Sequence, residues 1–194
     1  MSMKEVLRKL LGSSSINEEP KLNKMEILDF KVTGYKENTL YFWKLPECEM
    51  TFVAKNGKTY IAHSEFTEIS MYMEININGL DPEMNRLIAQ IDEPYFDKFG
   101  VKYERIDVQE DLGNFKIGYA LQEMMNRIFF LVARENDIDF YHIHGVIGTN
   151  GKDKPEYSMP LYESFDNKTY DNHKMVLNRT GFDKTNCNLE YFIN

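Results

Sequence analysis

The order of apolar and polar positions divides the chain into a short arm, a strand-rich first half, and a second half in which strands and helices alternate. Residues 4–11 place Val6, Leu7, Leu10 and Leu11 on one helical face, with Lys4, Arg8 and Lys9 elsewhere. Gly12-Ser13-Ser14-Ser15 stops that helix, and Asn17-Glu18-Glu19-Pro20 continues as a polar linker. The pattern predicts an N-terminal helix and linker arm over 1–24 and a single domain over 25–194. The helix reads as a membrane-surface or partner-docking element, or more plainly as a terminal helix packed on its own domain.

From residue 25 the period shortens to two. Residues 27–32 alternate, and Thr39-Leu40-Tyr41-Phe42-Trp43 is rich in strand formers. Residues 50–54 and 59–62 flank Asn56-Gly57, a hairpin signal. A long alternating strand puts Ile69, Met71, Met73, Ile75 and Ile77 on one face. Asp81-Pro82-Glu83, with Asp81 as cap and Pro82 in the first turn, predicts a helix running to about Ile91. A strand is expected over 101–108. The clearest helix covers 114–135, with Ile117, Leu121, Met124, Met125, Ile128, Leu131 and Val132 at helical spacing. A strand at 140–147, a polar irregular stretch at 150–168, a short helix at 170–180 closed by Gly181, and a last strand at 189–193 complete the series. The resulting fold class is α/β in the α+β sense: a mixed, largely antiparallel central sheet flanked by helices.

Composition narrows the function. With 42% hydrophobic and 13% aromatic residues, the chain has the means to build a core. Its net charge of −8 disfavours a phosphate-backbone partner, so no nucleic acid is expected, whereas an acidic surface suits a cationic acceptor such as an amine or a basic peptide. No apolar run approaches the roughly 20 residues that span a bilayer, so no membrane partner is expected. Two cysteines, Cys48 and Cys187, and no signal peptide fit a reducing, cytoplasmic location. Oligomeric state is not legible, and a homodimer stays open.

The chemistry concentrates where the strand ending at Val108 leads through a loop into the long helix. Such a junction offers free backbone N–H groups and the positive end of the helix dipole, a ready site for a pyrophosphate. Here the residues resemble the GNAT acyltransferase family. Val108 stands at the strand end, Gly113-Asn114-Phe115-Lys116-Ile117-Gly118 fills the loop, and Tyr119-Ala120-Leu121 follows. Residues 140–148 are similar to that family's fifth strand, and 170–182, ending in Gly181-Phe182, to its fourth helix.

The resemblance implies acetyl-CoA as co-substrate. The backbone amides of Gly113, Asn114, Phe115, Lys116, Ile117 and Gly118 would hold the coenzyme pyrophosphate, and exposed backbone near Ile106 and Val108 would bond the pantetheine arm. The strands at 101–108 and 140–147 would splay apart, and an acceptor amine would attack the acetyl carbonyl directly. Asn114 and Lys116 stand where the family usually has glycine; the ammonium of Lys116 can pair with a phosphate.

The usual acid position, a tyrosine of the fourth helix, aligns with Leu177, leaving Tyr162 and Tyr170 as substitutes. Another alignment puts the fourth helix at 158–165, making Tyr162 the direct equivalent. For the base, Glu104 fits best, with Asp107 facing the other side of the strand and Glu74 as a third candidate. His142 and His144 share one strand face; without a supporting carboxylate or cysteine no metal is expected, and they line the acceptor side or sit within the packing. A catalytically silent relative acting by binding, and an unrelated α+β interaction protein, are the competing readings.

Overall fold

In the computed structural model the described residues are 25–39, 41–54, 56–67, 71–81, 86–91, 99–106, 114–138, 140–148, 163–182 and 186–193, with backbone alone for 99–106, 114–117, 140–148, 178–182 and 186–191. They form an α+β fold. Ten strands make one sheet: β1 (Glu26–Glu37), β2 (Lys44–Val53), β3 (Thr59–Phe66), β4 (Tyr72–Ile77), β5 (Arg86–Ile91), β6 (Phe99–Ile106), β7 (Phe140–Gly148), β8 (Thr169–Tyr170), β9 (His173–Phe182) and β10 (Asn186–Ile193). The long helix α1 (Asn114–Asn136) connects β6 to β7.

The sheet order is β1-β2-β3-β4-β5-β6-β7-β10-β9-β8. Each neighbouring pair is antiparallel except β6–β7, which is parallel. A parallel pair needs a long crossover, and α1 supplies it. The helix thus runs back from the carboxyl end of β6 to the start of β7.

Alternation decides the core. Met50 and Phe52 of β2, Met73, Ile75 and Ile77 of β4, and Leu87, Ala89 and Ile91 of β5 all turn to one face and are buried. Leu121, Met124, Met125, Ile128 and Val132 of α1 belong to the same core. The opposite face of β1–β5 is polar, with Lys31, Glu49, His63, Asn76 and Arg86 in one straight cross-strand row. Opposite charges in such a row support each other: Lys31 Nζ lies 2.6 Å from Glu49 Oε1.

The hairpin at Asn56-Gly57 forms as its residues require. Gly57 takes φ 77°, and its amide donates to the Ala54 carbonyl at 2.9 Å. Two expected helices are strands instead. The stretch from Asp81 to Ile91 contains β5, because Leu87, Ala89 and Ile91 alternate and find partners in β4 and β6. The stretch 170–180 is the β8–β9 hairpin, because Asp171 and Asn172 both take positive φ (44° and 70°) and turn the chain in two residues. Residues 39 and 41–43 are not in a strand but in a turn, with the Phe42 amide donating to the Asn38 carbonyl at 2.8 Å.

Cys48 sits inside the β2 core at 1% exposure, and burial pushes its thiol up to about 12. The thiolate is the reactive form. Iodoacetamide at pH 8 is therefore expected to leave the Cys48 peptide unmodified in the folded protein and to label it fully in urea, read by peptide mass spectrometry. Labelling at equal rates in both states would show that the β2 core opens readily.

Candidate functional site

The parallel pair does not stay paired. The β6–β7 register runs from Phe99↔Phe140 to Tyr103↔Gly145 and ends there. Both strands continue: Ile106 is still paired with Leu87 of β5, and Val146, Ile147 and Gly148 are still paired with β10. Each strand is thus held by its outer neighbour while the inner ladder stops.

The cause is local. Ile88 and Ala89 of β5 are consecutive, yet they pair with Arg105 and Tyr103 of β6, so Glu104 is an extra, bulged residue. A bulge bends its strand and sharpens its twist. It falls at the first residue beyond the last β6–β7 pair, so β6 leaves β7 where it is bent. Among the described residues, the carboxyl ends of the two parallel strands therefore lack a ladder between them. Open sheets bind ligands in crevices outside the carboxyl ends of their parallel strands.

Several expected site residues fall at or near this place. Glu104 and Ile106 lie in the free end of β6. Asn114, Phe115, Lys116, Ile117 and Gly118 form the first turns of α1. Val108, Gly113, Asp107 and Tyr162 lie outside the described residues. Glu74 stands apart on β4, two strands from β6, where it accepts a 3.0 Å bond from Arg86. His142 and His144 are on β7 opposite Gly100 and Lys102, in the zipped part of the pair. Among the described residues no group of three or more metal-ligating side chains occurs.

The segment expected to carry the fourth helix departs most. Gly181 does not cap a helix; it is the extra residue of a bulge in β9, between Thr180 and Phe182. Leu177 lies on β9, its amide bonded to Asp166 Oδ1 at 2.9 Å. Tyr170 is buried and belongs to a cluster that the sequence reading did not find.

That cluster is built along one stripe of α1. Tyr119, Glu123, Asn126 and Phe130 follow at spacings of four, three and four, and residues 165–173 dock along them. Phe165 stacks on Tyr119 with centroids 4.6 Å apart, and Tyr170 stacks on Phe130 at 5.2 Å. Between these stacks Glu123, 1% exposed, accepts bonds from Arg127 Nε at 2.9 Å, from Tyr170 Oη at 2.5 Å and from Lys168 Nζ. Lys168 also donates to Tyr119 Oη at 2.9 Å and faces the rings of Tyr119, Phe165 and Tyr170 at 5.1, 5.3 and 5.5 Å. Asn126 donates to Tyr170 Oη at 3.4 Å.

Burial works against ionising Glu123, but the bonds from Lys168 and Tyr170, the Lys168 charge and the Arg127 bond outweigh it and hold the carboxyl below its usual range. Burial, and then the Glu123 charge and bond, raise the Tyr170 hydroxyl well above the ordinary phenol range. Its proton is committed to Glu123. The arrangement fastens the 165–173 segment to the helix. Only the Glu123–Arg127 spacing of four residues hinted at it in the sequence.

No helix among the described residues is long and apolar enough to cross a membrane. No family model matches the chain, and no curated protein matches its sequence. Among solved structures the chain is similar to a crystal structure of the NatC complex bound to Gag peptide and CoA, at 9% identity and a TM-score of 0.39, covering 64% of this chain and 71% of that one.

Proposed function

We propose that the chain is a GNAT-like acetyl-CoA-dependent N-acyltransferase that moves an acetyl group to a primary amine. The observation that carries this reading is the parting of β6 from β7 at the Glu104 bulge. It supplies what a pantetheine arm needs: strand backbone without a strand partner, beside the start of a helix suited to a pyrophosphate. The first amides of α1, over 114–116, would hold the phosphates, with Lys116 as a charge partner, since residues 114–118 are helix rather than loop and the amides of Ile117 and Gly118 are engaged within it; Ile106 and Val108 would bond the arm.

Glu104, in the bent stretch, is the candidate to take the amine proton, because only a neutral amine attacks a carbonyl. The donor to the leaving thiolate is assigned to Tyr162 rather than Tyr170, whose hydroxyl is already engaged by Glu123. The acceptor is a small-molecule or peptide amine, for which the net charge of −8 is favourable. A cytoplasmic location fits this chemistry.

Acetyl-CoA at 1 mM is expected to raise the melting temperature, since a ligand that binds only the folded state stabilises it. Lys116→Glu is expected to shrink that gain, and an amine panel is expected to release free thiol. No shift at this concentration would count decisively against the coenzyme reading. A shift without thiol release would favour a silent binding relative, a reading motivated by Leu177 at the expected tyrosine position.

A further inference from the structure

The Lys168 ammonium stands in an aromatic cage. A cation–π contact reaches about 6 Å from a ring centroid, and Lys168 Nζ is inside that reach for Tyr119, Phe165 and Tyr170 at once. Glu123 adds a carboxylate that is 1% exposed. Phe165 and Tyr170 are buried, whereas the lysine side chain is 30% exposed, so the cage is open to solvent on the side from which the lysine enters.

The walls do not depend on the lysine side chain. Phe165 stacks on Tyr119, and Tyr170 stacks on Phe130 and takes a bond from Asn126. Arg127 and the Tyr170 hydroxyl donate to Glu123 whether or not Lys168 does. The backbone turn is closed by main-chain bonds alone: Lys168 N–H donates to the Phe165 carbonyl at 3.1 Å, and Met175 N–H to the Lys168 carbonyl at 2.9 Å. The ammonium can therefore leave on its flexible stem while the rings and the carboxylate stay in place. The same cluster also holds a spare acceptor. Gln122 is 0% exposed and its Nε2 donates to Asn126 Oδ1 at 3.2 Å, but its Oε1 has no partner, so the chain supplies one donor too few.

We propose that Tyr119, Glu123, Phe165 and Tyr170 form a binding site for an unbranched primary alkylammonium ion, such as the aminobutyl end of a small polyamine, and that Lys168 occupies and closes it when that ligand is scarce. The bonds select a primary ammonium. Lys168 donates to Glu123 and to Tyr119 Oη, and a quaternary ammonium, having no N–H, would leave both acceptors unserved. The stem selects an unbranched chain, because the site is shaped around four methylenes and the Lys168 backbone remains at its mouth. A net charge of −8 favours a polycation. The tethered lysine competes at an effective concentration in the millimolar range, so it sets a threshold below which the ligand does not enter. None of this needs the coenzyme reading.

Nuclear magnetic resonance on the full chain with carbon-13-labelled lysine tests the site. Three rings around one ammonium place the Lys168 ε-methylene signal upfield of the other lysines, and its loss in Lys168→Ala assigns it. n-Butylammonium chloride is expected to move that signal to the position of a solvated lysine, with tetramethylammonium chloride at equal ionic strength leaving it in place. Calorimetry is expected to show n-butylammonium binding about tenfold more tightly to Lys168→Ala, where the internal competitor is gone. The wild-type titration decides alone should Lys168→Ala not fold. A Lys168 signal unmoved by about 100 mM n-butylammonium, far above the tether's effective concentration, would overturn the proposal, leaving the lysine as a fixed clasp. So would equal movement with tetramethylammonium, which would reduce the effect to ionic strength. Tighter binding of Nα-acetyl-lysine methylamide than of n-butylammonium would assign the site to a peptide lysine and overturn it as well.

Discussion

Replacing Glu123 with alanine is expected to destabilise the fold by about 3–5 kcal/mol, the range for breaking a buried ion pair from one side. Three donors lose their acceptor at once: Lys168 Nζ, Arg127 Nε and the buried Tyr170 hydroxyl. The two cations are then left facing each other without the anion between them. Glu123→Gln, which keeps the shape and one acceptor, is expected to cost less, about 2 kcal/mol. Urea denaturation reads both; a loss below about 1 kcal/mol for alanine would mean that the cluster is incidental to stability.

The pH dependence has a definite sign. The folded-state pKa of Glu123 is lowered, so the folded protein holds fewer protons there than the unfolded chain, whose glutamates titrate near about 4.3. The stabilisation is complete above that value and is lost as pH falls through the lower, folded-state value. The stability gap between the native protein and Glu123→Gln should therefore narrow from pH 7 to pH 3.

Leu87→Ala is expected to cost about 3–4 kcal/mol, within the range for a fully buried leucine. Leu87 is 0% exposed and lies in a straight row between Ile75 of β4, also 0% exposed, and Ile106 of β6. It thus holds the outer side of the free end of β6. On the coenzyme reading, the melting gain with acetyl-CoA should fall more in Leu87→Ala than in Phe52→Ala. The latter is a comparable core truncation on β2, far along the sheet from β6. Equal gains in the two variants would show that β5 does not hold the crevice open.

What the sequence disclosed and what it hid follow from range. The long helix was plain because seven apolar positions repeat over about four turns, more than competing patterns can imitate. The face Met71, Met73, Ile75, Ile77 was plain because alternation needs no knowledge of neighbours, and all four are buried. By contrast, Leu87, Ile88 and Ile91 satisfy both helical and strand spacing. A good cap at Asp81-Pro82 tipped the reading to a helix, and only the flanking strands β4 and β6 settle it as a strand.

The segment at 170–180 misled for a different reason. Asp171-Asn172 is a two-residue hairpin turn without the glycine that usually marks one, and Gly181, taken as a helix end, is a bulge. That the two parallel strands would not pair to their ends was expected through a family resemblance, and the ladder stops at Tyr103 and Gly145. The Glu104 bulge that produces it depends on pairing with β5, which no local pattern in β6 records. The Glu123 cluster joins residues more than forty positions apart, so it could be found only once β8 was seen against α1.

The end of the β6–β7 ladder has a consequence for what the proposed site would accept. Among the described residues, peptide groups that point across it have no sheet partner there, and a buried main-chain donor or acceptor left unmatched is costly. On the coenzyme reading, water would hold these groups until a guest arrives. A greasy molecule that displaced that water would strand those groups, whereas one carrying its own amides would replace each lost contact. On that reading, the opening would screen its visitors by the rhythm of their hydrogen-bonding groups before any side chain took part.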